Sequence, residues 1–189
     1  MTTISSTIQR YIYPHAYFTN GAFVCLQQAR QTEEGRFYNL LSTMLFSAFA
    51  LESFLNLVGI KQLPETWNEI EAKLGPDQKL KLLAELKPFN YDMSRRPFQS
   101  FAEIFGFRNT VVHAKPEMKI VRDSDKPPES KLLDRIDLER ASRFYDDSTR
   151  VIEYIYLHYE DVLPHFGIPE IQVTHNSLAP LEVVMGDSE

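Results

Sequence analysis

The residues best suited to chemistry lie near the middle of the chain, where Arg108, Asn109 and His113 follow an apolar segment. An arginine can hold a phosphate through a planar fork of donors, and a histidine can transfer a proton near neutral pH. Together with an amide, these groups suit the binding and cleavage of a phosphodiester. The alternative is structural: Arg108 would pair with an acid, and His113 would end a helix, where a cation suits the helix dipole.

The element that carries these residues must also bring them together. Five residues on an ideal helix turn through about 500°, which leaves Arg108 and His113 about 140° apart. They therefore do not share one helix face. Pro116 predicts that the helix ends near His113, which is one route to convergence. The other route is a two-fold dimer, which would supply a second copy of each residue to one cleft.

Two further residues are candidates for supporting roles. Glu52 lies in the most apolar predicted helix, with Asn56 on the same face, and an unpaired buried carboxylate would be costly. We expect Glu52 to contact Arg108 and fix its side chain. The alternatives are another partner, such as Arg10 or Arg36, or a position facing solvent. Lys115 offers a further phosphate contact or is simply a solvated lysine at a helix end.

The spacing of apolar residues predicts an all-α, up-and-down bundle of four to five main helices. A helix that is apolar on nearly all sides must be central to such a bundle, and the second predicted helix has this pattern. We expect Gly59 to end it, and Pro97 to lie in the first turn of the helix that carries Arg108. The predicted helices span about 15–33, 37–58, 77–86, 97–113 and 137–163, with a short amphipathic piece near Trp67.

The sequence predicts one helical domain at residues 1–164 and a tail at 165–189. The tail contains no Lys or Arg but keeps several apolar residues, so we expect it to pack on the bundle or on a partner chain. Residues 117–134 mix both charges and contain two consecutive prolines, which predicts a loop. A third interpretation of the whole chain, as a structural interaction protein, depends on this tail.

Net charge is −6, which argues against general coating of nucleic acid. The charge is uneven, however. Residues 79–122 contain nine Lys or Arg against four Asp or Glu, a local +5, so the remainder carries −11. Such a segment can attract phosphate locally. The alternative is that these positive charges are scattered and have no binding role, because Lys79, Lys81 and Lys87 lie on one predicted helix that needs a solvated face.

The sequence lacks the motifs of several classes of protein function. There is no P-loop, GxGxxG, HExxH or GxSxG, and the other histidines lack ligand spacing, so we expect no metal and no cofactor. The single cysteine, Cys25, excludes an internal disulfide. The N-terminus lacks a signal-peptide pattern, and the most apolar run, 44–51, is short for a membrane span. We therefore expect a cytoplasmic protein that does not enter a membrane.

The pattern Arg108-Asn109-x-x-x-His113, late in an all-α domain of this size, resembles the HEPN superfamily (higher eukaryotes and prokaryotes nucleotide-binding). The resemblance implies metal-independent cleavage of RNA, within toxin–antitoxin or phage-defence systems, at a site formed across a homodimer. Arg108 would hold the non-bridging phosphate oxygens, and His113 would be the general acid or base. Asn109 would orient the phosphate or His113. The product would be a 2′,3′-cyclic phosphate, and an antitoxin protein would be a further partner.

The resemblance also leaves a second possibility, because many HEPN members are non-catalytic modules that dimerise and bind a nucleotide, RNA or protein. One departure from the family pattern is clear. The HEPN toxins that work beside a nucleotidyltransferase partner commonly carry a tyrosine two positions after the histidine, where this chain has Lys115. Regulation by modification of that tyrosine is therefore not expected here.

Overall fold

The computed structural model describes residues 9–10, 12–116, 133–163 and 183–184. Within these ranges the chain forms an all-α bundle, as the apolar spacing predicted, and five of its helices are long. The α-helices are α1 (Pro14–Gln31), α2 (Arg36–Gln62), α3 (Trp67–Ile70), α4 (Pro76–Leu86), α5 (Gln99–Val112) and α6 (Leu138–Tyr159). Short 3₁₀ turns follow α3 at Glu71–Lys73 and precede α6 at Leu133–Arg135. Two-residue strands, β1 (Gln9–Arg10) and β2 (Val183–Val184), pair antiparallel.

The centre of the bundle is α2, which packs against α1, α3, α4, α5 and α6. Met44, Leu51 and Leu55 are fully buried along its length, which confirms that the helix apolar on nearly all sides is the central one. By length and composition alone α2 could also cross a membrane, and 56% of its most apolar window is buried in the bundle. A core helix of a soluble protein meets the same criterion, so the expected absence of a membrane stays a prediction.

Two predicted helix ends were wrong. Helix α2 continues past Gly59 to Gln62, because Gly59 serves close packing and not termination. A Cβ at residue 59 would lie 2.2 Å from Cε2 of Trp67, a fully buried side chain of α3. Only glycine allows the indole to lie this close to the α2 backbone. Helix α5 begins at Gln99, two residues after Pro97, so Pro97 precedes the helix instead of lying in its first turn.

The start of α5 is fixed to α6 by an ion pair whose carboxylate is fully buried. Asp147 of α6 is fully buried and accepts hydrogen bonds from Arg96 Nε (2.8 Å) and Nη2 (2.9 Å). Ser100, in the first turn of α5, donates its hydroxyl to Asp147 Oδ2 at 2.5 Å. The neighbouring carboxylate raises the pKa of the Arg96 guanidinium. We refer to Arg96, Ser100 and Asp147 as the Asp147 centre.

A second contact holds α5 against α6 one turn later. Glu103 accepts from Arg143 Nη2 with both oxygens (3.0 and 2.8 Å) and lies 3.2 Å from Arg140 Nε. These bonds, together with the Asp147 centre, fix the position of α5 before the chain reaches the predicted site.

The loop predicted at 117–134 lies outside the described residues, except for its last two positions, which belong to the 3₁₀ turn before α6. The predicted tail at 165–189 likewise lies outside them, apart from Val183–Val184. Packing of the tail on the bundle or on a partner therefore stays a prediction.

Candidate functional site

The structure confirms the predicted contact between Arg108 and Glu52. Arg108, in the last two turns of α5, donates from Nη2 to Glu52 Oε2 of α2 at 2.9 Å. Its guanidinium carbon lies 5.6 Å from the centroid of the Phe105 ring, one turn earlier. The alternative partner Arg36 is instead bonded to the Ala29 carbonyl and paired with Glu33. Arg108 is thus held between an aromatic face and a carboxylate, with 19% of its side chain exposed.

Lys79 of α4 joins this group, and the sequence did not single it out. Its Nζ donates to Asn56 Oδ1 at 2.8 Å and lies 3.8 Å from Glu52 Oε1. The residue is only 4% exposed, so its assignment to a solvated helix face was wrong. Lys81, two residues later, is the one that faces solvent, with 72% of its side chain exposed. The available signal was the pair Glu52 and Asn56 at i,i+4 in an apolar helix, which required polar partners but did not identify them.

The charges of this group do not balance. Glu52 is one carboxylate, 30% exposed, and it lies between the two cations Arg108 and Lys79. Two cations against one anion leave an excess of one positive charge. Because all three groups are partly or largely buried, solvent and salt screen that excess less than they would on an open surface. The group, which we call the Glu52 centre (Glu52, Lys79 and Arg108), is therefore attractive to an anion such as phosphate.

Asn109 and His113 are exposed beside the Glu52 centre. His113 is the C-cap residue of α5, and its backbone N–H donates to the Asn109 carbonyl at 3.0 Å. Among the residues that the structure describes, neither side chain makes a hydrogen bond or ion pair, and none joins Arg108 to His113. The structure thus brings Arg108 to Glu52 and leaves His113 toward solvent, as their angular separation on a helix predicted. Lys115 is also exposed, just beyond the end of α5.

The tyrosines near the end of α6, which could have stacked bases, belong to the packing of the bundle. Tyr159 is fully buried and donates its hydroxyl to the Leu83 carbonyl at 2.5 Å. The ring of Tyr154 packs edge-on against Phe98, with centroids 5.4 Å apart. Tyr156 is half-buried. These contacts make the three tyrosines part of the core and its rim.

Within the described ranges, no group of three or more His, Cys, Asp or Glu side chains has the arrangement of a metal site. Comparison of the chain with protein-family models, with curated proteins and with solved structures found no match. What the protein does must therefore be inferred from the motif at the end of α5 and from the contacts around it.

Proposed function

We propose that the protein is a metal-independent endoribonuclease of the HEPN type. The observation that carries the proposal is the Glu52 centre, in which a carboxylate holds Arg108 while a second cation leaves net positive charge. The exposed Asn109 and His113 follow within five residues. A phosphate-holding cation and a proton-transferring group thus lie at the same end of α5.

The chemistry needs little more than these groups. In RNA, the 2′-OH can attack the adjacent phosphorus, forming the 2′-O–P bond while the P–O5′ bond breaks, which yields a 2′,3′-cyclic phosphate and a 5′-hydroxyl. The enzyme has to position the nucleotide, neutralise the phosphate oxygens and move protons. Arg108 would hold the non-bridging oxygens, and the Asn109 amide would donate to the phosphate. His113 would take the proton of the 2′-OH or give one to the leaving 5′-oxygen.

A homodimer would complete this site. In one chain Arg108 points to α2 while His113 is exposed, so a two-fold pair of α5 ends would provide Arg108 and His113 from both copies. The proposal extends to a toxin or phage-defence role in the cytoplasm, without membrane insertion, and to control by an antitoxin protein.

A second candidate is a non-catalytic module that dimerises and binds a nucleotide, RNA or protein. The observation that favours it concerns His113. In the described part of the chain its imidazole has no hydrogen-bonded partner to fix its tautomer, whereas catalytic histidines usually have one. Binding alone needs only the cation and the amide of Arg108 and Asn109.

The test is cleavage of labelled single-stranded and structured RNA in EDTA by wild type, His113→Ala and Arg108→Ala. A matched control is Arg95→Ala, because Arg95 is an exposed arginine paired only with Asp92. We expect cyclic-phosphate products from wild type and the control, and a loss of about 10²–10⁴-fold in both site variants. A 2′-deoxy substitution at the cleaved position should abolish the reaction.

Equal cleavage by all four proteins would reveal a contaminating nuclease and would contradict the proposal. Absence of cleavage, together with RNA or nucleotide binding that Arg108→Ala abolishes, would favour the binding module instead.

A further inference from the structure

We propose that Lys79 is a positioning residue: it holds the Glu52 carboxylate in the orientation in which Glu52 holds Arg108. The consequence for RNA cleavage rests on the proposed function, whereas the consequence for the Arg108 side chain does not. Lys79 lies on α4, Glu52 on α2 and Arg108 on α5, so three helices meet through three side chains.

The burial of Lys79 needs an explanation that packing does not supply. Removing an ammonium group from water is costly unless it is paired and hydrogen-bonded, and apolar side chains of similar size often replace buried ion pairs without loss of stability. Leu80 and Leu83 already bury the same helix against the core. A methionine at residue 79 would serve the contact between α4 and α2 equally well, so the lysine is better explained by its charge.

The two cations face different oxygens of one carboxylate. Arg108 Nη2 is hydrogen-bonded to Glu52 Oε2 at 2.9 Å, and Lys79 Nζ lies 3.8 Å from Oε1, within electrostatic reach but beyond a hydrogen bond. Lys79 is itself fixed by its 2.8 Å hydrogen bond to Asn56 Oδ1, one turn along α2. The fixed ammonium therefore attracts Oε1 and favours the carboxylate orientation in which Oε2 meets Arg108. This arrangement makes the Arg108 orientation depend on a residue that is nearly inaccessible to solvent.

Three variants test whether Lys79 positions the Glu52 carboxylate and Arg108 or only attaches α4 to α2. Lys79→Met keeps an unbranched side chain one atom shorter and removes its charge, and Lys79→Arg keeps the charge. Lys81→Met is the matched control, because Lys81 lies on the same helix, is largely exposed and, among the described residues, pairs only with Glu85, at 3.9 Å. Thermal unfolding of each variant shows whether the bundle is intact.

The first readout is nitrogen-15 NMR of the arginine side chains, with the Arg108 signals assigned by their loss in Arg108→Lys. In wild type we expect separate Nη signals, because the bond to Glu52 restricts rotation of the guanidinium. They should broaden or merge in Lys79→Met and stay separate in Lys79→Arg and Lys81→Met. Arg108 signals that are the same in wild type and Lys79→Met would overturn the inference, whether or not the protein cleaves RNA.

The second readout is RNA cleavage. We expect Lys79→Met to lower kcat by about 10–100-fold, as the loss of outer partners does at other sites, with little change in KM or Tm. Lys79→Arg should recover most of kcat. A loss of activity that follows a loss of Tm, without recovery in Lys79→Arg, would make Lys79 a structural link only. A wild type that cleaves no RNA would remove the proposed function, and the NMR signals would still decide the positioning role.

Discussion

Two ion-pair centres hold α5, one near each end, and they use the same residue types in different ways. In the Asp147 centre one fully buried carboxylate faces one guanidinium, and a serine hydroxyl takes a further acceptor site. In the Glu52 centre the carboxylate is 30% exposed and faces two cations. The first is balanced, and we call it closed because its carboxylate is fully buried, although the Arg96 side chain is 49% exposed. The second is unbalanced and partly open at its carboxylate.

The difference indicates how a structural ion pair can be separated from a candidate binding site. A balanced, buried pair has no remaining charge with which to attract a ligand, and its effect is on the stability and specificity of the fold. Glu103 also faces two arginines, but Arg140 lies 4.0 Å from Asp137 as well, so that contact has two acids for two cations. An unbalanced pair with partial exposure keeps both a net charge and a route for a ligand. The residue types do not distinguish the two centres, because each contains an acid and an arginine.

The largest expected effect on stability tests the closed centre. Arg96→Ala leaves Asp147 buried with the Ser100 hydroxyl as its remaining described side-chain partner. Removal of one partner from a fully buried pair costs about 3–5 kcal/mol, and we expect a loss at the lower end of that range because the Arg96 side chain is 49% exposed. Urea unfolding would measure the loss. The control is Arg95→Ala at the adjacent position. The Arg95 side chain is 84% exposed, so its removal should change the free energy of unfolding by no more than about 0.5 kcal/mol. Equal losses in the two variants would contradict the assignment of Asp147 as a buried structural partner.

A smaller effect concerns a buried group that belongs to neither centre. His15 is 8% exposed, it packs edge-on against Phe54, and its Nδ1 has no hydrogen-bond partner among the residues that the structure describes. Burial lowers its pKa from 6.5 to about 4. The unfolded chain therefore binds a proton below pH 6.5 while the folded chain resists it until about pH 4, so stability falls as the pH is lowered through this window.

The expected loss that His15 causes is about 3 kcal/mol at pH 4 relative to neutral pH, since each pKa unit corresponds to about 1.4 kcal/mol. Unfolding of wild type and His15→Phe between pH 7 and pH 4 would measure it. The variant should lose markedly less stability across the window. If both proteins lost the same amount, the acid sensitivity would have to come from other groups, including the carboxylates of the two centres.

The sequence predicted the helices and one of the two centres for identifiable reasons. Apolar residues at three- and four-residue spacing determine which face of each helix is buried, so the five long helices followed from the pattern. Glu52 was recognisable because an acid in an apolar helix must find a cation, and the motif at Arg108 supplied one.

The rest depended on how helices rotate against one another. Lys79, Lys81 and Lys87 look equivalent in the sequence, and only the packing of α4 on α2 buries the first. Asp146 and Asp147 are likewise adjacent and identical in type, yet Asp146 is exposed and Asp147 is not. Gly59 was predicted to end α2 because nothing in the neighbouring sequence indicates that Trp67 packs against it.

The next prediction tests the open centre. Glu52→Gln keeps an acceptor for Arg108 but removes the only negative charge of the centre, so two cations of low exposure then repel each other. We expect a loss of about 1–2 kcal/mol, comparable to that of a hydrogen bond to a charged group. Thermal unfolding would show it, with Glu85→Gln as control because Glu85 is 64% exposed and paired only with Lys81. A neutral Glu52→Gln would mean that the centre contributes nothing to the fold.

The smallest expected effect lies on the exposed side of α5, at Gly106. A Cβ added at Gly106 would meet no atom within 4 Å, whereas one at Gly59 would collide with Trp67. Because alanine favours a helix interior over glycine by about 0.5–1 kcal/mol, Gly106→Ala should raise the free energy of unfolding by that amount, and Gly59→Ala should lower it. Denaturant unfolding of both variants shows whether the free energy of unfolding rises or falls in each. A loss in Gly106→Ala would mean that the fold itself needs the glycine. A gain would mean that the fold does not need it.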